Sequence, residues 1–341
     1  MTRFVGTAAF AVILGLAAAP AARAQISLAT VPIGNAGNAA DAGTGRGAVN
    51  YDFAMGKFEV TINQYTAFLN AVARTDTYNL WSSQMSAPPP TRGISRSGSA
   101  GSYSYAAIGN GNRPIAYVSW FDAARFVNWL NHGQPTGLQS ATTTETGAYN
   151  LNGATTGTGF TRSLATGAGF VLPNPDEWYK AGYYQPATAG GPAGDYWIYP
   201  TRSNTQPNSR NGSTTDPNSA NYYYDDGLAN GYNGGYAPIN ATDYTSQNML
   251  LPGGSFTLAS SYYGTFDQGG NVFEVGEGRH ILGGGFGATA IVLRLDMSYN
   301  LTDPTWEYGD VGFRVAYVPE PTTTSLLVLG TALLLRRRRG A

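Results

Sequence analysis

The chain has 341 residues, 42% of them hydrophobic and 12% charged, and no cysteine; this excludes a disordered polymer, thiol chemistry, Cys-ligated metals and disulfide relays. Six of the 20 basic residues and one of the 21 acidic ones lie in the two terminal segments, so residues 25–318 carry 14 against 20, a net charge of −6, with Lys57 and Lys180 as their only lysines. That balance argues against a nucleic-acid partner, because phosphate binding depends on clustered Lys and Arg.

Residues 1–24 read as a secretory signal: Arg3 in front, an apolar run from Phe4 to Ala19, then Ala22-Arg23-Ala24 as the small-residue cleavage site. Cleavage is expected after Ala24. Residues 25–49 are small and Gly/Ala-rich, a flexible lead-in with one edge strand, and Tyr51 to Val60 alternates as a strand does. Thr61-Ile-Asn-Gln64 has the form of a capping box, and Phe68, Leu69 and Val72 follow at helical spacing, which predicts a helix from Ile62 to Ala73. Residues 75–113, with Pro88-Pro89-Pro90, read as a long irregular loop. Ser119 then caps a second helix, with Asp122 in its first turn and Ala123, Phe126, Val127 and Leu130 as its buried stripe.

Farther on, Gly147 to Gly153 has the composition of a hairpin. Asn174-Pro175-Asp176-Glu177 supplies a cap, a Pro at the first helical position and Glu at the third, predicting a short third helix. Residues 185–265 show little periodicity and are rich in Asn, Tyr, Gly and Ser; a stretch that long in a compact domain means binding loops or ion-held loops. Within it, Tyr222-Tyr223-Tyr224-Asp225-Asp226 offers rings that could stack on sugars or pack as loop. From Phe266 to Tyr317 the pattern is short strands between Gly-rich turns. Gly43 to Gly47 and Gly109 to Asn112 do not lead from strand to helix, so they are turns and not nucleotide cradles.

The order of YDFAMGKFEVTINQYTAFLNAV, RPIAYVSWFDAARFVNWLN, GFVLPNPDEWYKAGYY, GTFDQGGNVFEV, HILGGGFG and VGFRVAY over residues 50–317 resembles the sulfatase-modifying-factor domain, the family of formylglycine-generating enzymes. The resemblance implies an α+β, C-type lectin-like fold of that type, loop-rich with short strands and about three helices. It also implies two copper-binding cysteines, but their positions fall near Ala288 and Leu293, neither of which can bind copper or do thiol redox chemistry. Formylglycine generation is therefore not expected. The family's sulfoxide synthases use a three-histidine iron site. This chain has only His132, at the end of the second helix, and His280, so no iron is expected either. Glu274 and Glu277 could form an acid pair, or be solvated or ion-bound carboxylates. The resemblance further implies structural calcium, with Asp267 and Glu274 giving side-chain oxygens, Gly270 and Val272 giving carbonyls, and Asn221 belonging to a second site.

The C-terminus, Val318 to Ala341, resembles the PEP-CTERM sorting signal. Pro319, Glu320 and Pro321 stand as the recognition element, an apolar segment follows, and Arg336, Arg337, Arg338 and Arg339 close it. The apolar segment of about 14 residues is short of the roughly 20 that span hydrocarbon, and the arginines fit the positive-inside rule. The resemblance implies an exosortase-type processing enzyme, transient residence in the inner membrane, and delivery to the surface, outer envelope or matrix of a Gram-negative bacterium. The reading that follows is a non-catalytic, lectin-like protein binding exopolysaccharide or another surface protein; the alternative is an enzyme with a cysteine-free site on the same fold.

Overall fold

The structure is a computed structural model that describes residues 25–319, apart from 165–166, 210–214, 226–227, 230–233, 239–241, 244, 246, 298 and 301–302. Its three helices are α1 (Ile62–Val72), α2 (Trp120–Asn131) and α3 (Pro175–Tyr183). Each starts on a complete capping box: Thr61 with Gln64, Ser119 with Asp122, and Asn174 with Glu177. In each, the cap side chain takes one orphan amide and the third helical residue returns a bond to the cap amide. Helix α1 ends one residue before the predicted Ala73, which is the C-cap.

The strands are short: β1 (Thr30–Ile33), β2 (Phe53–Gly56), β3 (Ile94–Ser97), β4 (Ser104–Ala107), β5 (Gly169–Val171), β6 (Tyr223–Tyr224), β7 (Gly235–Tyr236), β8 (Phe273–Val275), β9 (His280–Leu282), β10 (Tyr299–Asn300), β11 (Val311–Gly312) and β12 (Ala316–Val318). One antiparallel sheet runs β1-β2-β12-β5, with Ala316 opposite both Met55 and Val171. A second runs β10-β9-β8-β11, where β11 lies parallel to β8. Two ribbons, β3-β4 and β6-β7, stand apart from them.

Helices α1 and α2 pack their apolar stripes into the principal core with the first sheet. Phe126 meets Phe68 edge-on at 5.4 Å and Phe313 at 5.3 Å, and Phe68 lies 5.3 Å from Trp129. Ring pairs of this geometry add about 0.5–1.5 kcal/mol each beyond the area they bury.

Three expectations are corrected. Residues 30–49 are docked and not a free lead-in, although the expected edge strand is present as β1, paired along β2: Ile33 and Val49 are buried, and Asn38 and Thr44 bond the hydroxyls of Tyr196 and Tyr179. Within 75–113 a hairpin forms, β3 to β4, turned at Gly98 and Gly101, both with positive φ that favours glycine. Residues 147–153 form no hairpin, because Asn128 of α2 takes the backbone bonds such a ladder would need. Its amide donates to the carbonyls of Thr144 and Tyr149 at 2.7 Å and its Oδ1 accepts from the Tyr149 amide.

Candidate functional site

The Asp267–Glu274 segment crosses the centre of the molecule. Asp267 and Asn271 both adopt positive φ, and Gly270 at φ +91° passes so close to the Asn221 carbonyl that a Cβ there would lie 2.3 Å from its oxygen. Asn271 knots the strands together: Oδ1 accepts from Asn221 Nδ2 and the Leu251 amide, and Nδ2 donates to Glu59 Oε1 and the Leu251 carbonyl.

Glu274 is already matched. Arg314 donates to it from Nε and Nη2, each at 2.5 Å, Trp178 Nε1 donates at 2.7 Å, and the other Arg314 hydrogens go to the Gly56 and Phe266 carbonyls. Asp267 accepts from the Gly254 amide at 2.6 Å. Burial pushes Asp267 and Glu59 above the usual carboxylate range, and each is raised further by a neighbouring buried carboxylate.

The residues here do not fit calcium. Both Glu274 oxygens face a guanidinium, which does the charge balancing that a divalent ion would do, and a cation beside Arg314 would be repelled. Among the described residues no group of three His, Asp or Glu side chains could hold a metal. Asn221 joins the same network through Asn271: its Nδ2 also bonds the Met249 carbonyl, and its Oδ1 is buried without a donor.

The other sequence-derived candidates are dispersed. Glu274 and Glu277 sit in different ion pairs, Glu277 with Arg162 at 3.1 Å, so they do not make an acid pair. His132 is the C-cap of α2 with its ring on the Thr146 carbonyl. His280 begins β9, and burial, with Arg46 and Arg279, lowers its pKa. Tyr222 is packed, its hydroxyl bonded to the Pro207 carbonyl, while Tyr223 and Tyr224 form β6 and are half-buried. Asp226, Glu320, Pro321 and Arg336–Arg339 lie outside the described residues; Pro319 is the last of them.

Leu293, at a position assigned to a cysteine, is fully buried with Tyr199, Ala220, Tyr222 and Ala290, and Ala288 packs on that cluster. The groove of about 400 Å³ over it is lined by Thr289, Ile291 and Arg294, with Arg294 paired to Asp296. Apolar packing thus replaces thiolate chemistry there.

A cleft of about 410 Å³ that no motif announced lies wholly within residues 185–218. Its walls are Trp197, Gln185, Thr201, Arg202, Ser203, Thr205 and Asn218, with Gly190 and Pro217. Trp197 Nε1 donates to Gln185 Oε1 at 3.0 Å, Thr201 donates to Asn218 Oδ1 at 2.6 Å, and Asn218 Nδ2 reaches the Thr205 and Gln206 carbonyls. Arg202 is anchored through Nε to the Ser260 carbonyl. No carboxylate or histidine is among the lining residues, so the cleft offers an aromatic face, amides and hydroxyls but no acid–base pair. Composition placed binding loops in this stretch; Trp197 among Gly, Ser and Asn was the available signal.

Short sheets and long bonded loops around a buried Arg–Glu pair define a loop-rich α+β domain. The chain belongs to the sulfatase-modifying factor enzyme 1-like domain family, whose pattern matches residues 21–318. Among solved structures, the crystal structure of CarF is similar at 17% identity and TM-score 0.47, covering 86% of this chain and 99% of that one. PvdO from Pseudomonas aeruginosa is similar at 18% identity and TM-score 0.40, covering 86% and 92%. A comparison with curated protein sequences finds no match.

Proposed function

We propose that this protein is an exported, non-catalytic binding member of its family that holds a glycan of the cell surface or exopolysaccharide in the Trp197 cleft. The carrying observation is the cleft's chemistry: one indole beside amide and hydroxyl groups fixed by one another, the combination that stacks on a sugar ring and bonds its hydroxyls. The absence of any cysteine removes the family's redox reaction. Sorting through the Pro319-Glu320-Pro321 tail by an exosortase-type enzyme, with passage through the inner membrane, is part of the same reading. It rests on the order of motif, apolar segment and arginines in the sequence.

A glycan array probed with the purified protein tests the proposal. Binding to a restricted set of glycans, lost in Trp197→Ala, is expected. Binding to none, or identical binding by wild type and variant, would sink it.

A further inference from the structure

A third cavity, of about 230 Å³, opens at the start of α2, with no lining residue in common with the Trp197 cleft or the Leu293 groove. It is lined by Asp122 and Glu307, by Arg125, and by the rings of Tyr78 and Phe121. Arg125 is fully buried. Its Nε and Nη2 go to Glu145 at 2.8 and 3.0 Å, Nη2 also reaches the Ala154 carbonyl, and its face lies 4.2 Å over the Tyr78 ring. Nη1 is left buried with no partner.

A buried guanidinium nitrogen without an acceptor is desolvated and unpaired, so this one calls for an oxygen supplied from outside. The charge of the lining calls for something else as well. Arg125 is neutralised by Glu145, which leaves Asp122 and Glu307 as uncompensated carboxylates. Of Asp122, Oδ2 is bonded by the Ser119 amide at 2.8 Å and hydroxyl at 2.7 Å, and Oδ1 takes neither bond.

These demands select one ligand chemistry. A simple anion would meet two carboxylates. A bare divalent ion would balance the carboxylates but offer no acceptor to Nη1. A neutral sugar would satisfy Nη1 and leave the carboxylates without a counter-charge. A hydroxylated ligand bearing an ammonium group satisfies all of them: the ammonium faces Asp122 and Glu307 beside the Tyr78 and Phe121 rings, and a ring hydroxyl accepts from Nη1. The volume admits one pyranose unit. We propose that this cavity binds a free-amine amino-sugar residue, recognised by Asp122, Glu307 and the Nη1 of Arg125. It extends the glycan reading to a second site of different specificity.

The groups facing Asp122 are Glu307, Arg125 with Glu145, and the buried Tyr65; Asp76 in turn faces Glu307. Burial, then Glu307, pushes Asp122 up to about 7. Cation binding needs it ionised, so affinity falls as the pH drops below that value.

The experiment is a calorimetric titration of the purified protein with a glucosamine trimer, with its fully N-acetylated counterpart, and with calcium chloride alone. The free-amine trimer is expected to bind at least tenfold more tightly than the acetylated one, and at least tenfold more weakly at pH 5 than at pH 7. Glu307→Gln, isosteric and only half-buried, should weaken the free-amine trimer at least tenfold with an unchanged melting temperature. Trp197→Ala should leave this binding intact, which separates the site from the Trp197 cleft. Equal affinity for the two trimers, full binding by Glu307→Gln, no binding of the free amine, or tighter binding of calcium than of the trimer would each overturn the assignment.

Discussion

Changing Glu274 to Gln tests the centre of the fold. The substitution keeps the shape but removes the charge opposite Arg314, two residues whose side chains are 2% and 0% exposed. Arg314 would keep its bonds to the Gly56 and Phe266 carbonyls, while of its two contacts at 2.5 Å the Gln oxygen can accept one and the Gln NH2 faces the other donor. Removing one partner of a buried pair leaves an uncompensated charge and costs about 3–5 kcal/mol. At about 2–4 °C per kcal/mol for domains of 150–250 residues, the melting temperature should fall by about 6–20 °C. Replacing both partners, Arg314→Met with Glu274→Leu, should cost less than the single change, because the guanidinium leaves with the carboxylate and Asp267 and Glu59, already raised by burial, can stay protonated. Thermal unfolding in calcium and in chelator is the assay. Since Arg314 already serves as the counter-cation, wild type should melt at the same temperature in both. A loss under 1 kcal/mol in Glu274→Gln, or a calcium-dependent rise in wild type, would refute the reasoning.

Asp122 has a folded-state pKa of about 7 against an ordinary 3.8, so the folded protein holds that proton more tightly and the group's contribution weakens as pH rises between those values. At about 1.4 kcal/mol per pH unit, Asp122→Asn should gain roughly 2–3 kcal/mol relative to wild type between pH 5 and pH 8, measured by denaturant unfolding; a pH-independent difference would contradict this. Replacing Glu320 by Ala should leave the precursor in the inner membrane, seen by fractionation, whereas normal maturation of the variant would remove the sorting reading.

Local rules reached the helices because each start is written in four consecutive residues. Thr61 to Gln64, Ser119 to Asp122 and Asn174 to Glu177 need no distant partner to form their boxes. The hairpin expected at residues 147–153 failed for the opposite reason: Asn128, about 20 residues away, supplies its bonds. The calcium expectation likewise rested on local residues alone. Asp267 to Glu274 looks like an oxygen-rich loop until Arg314, 40 residues downstream of Glu274, closes on it. A lone arginine inside the apolar run Val311-Gly-Phe-Arg-Val-Ala-Tyr317 was the readable hint, since a charge there must find a buried partner. The Trp197 cleft lay inside the one stretch that composition marked for binding loops, whereas the cavity at the start of α2 was invisible because Tyr78, Arg125, Thr155 and Glu307 come from separated segments.

Binding in the Trp197 cleft is the central claim, and calorimetry of the purified protein against exopolysaccharide fragments tests it most directly. Wild type should bind saturably, and Trp197→Ala, with an unchanged melting temperature, should bind at least tenfold more weakly, as expected when a stacking aromatic anchor is removed from a binding site. Equal affinities for the two proteins would contradict the account.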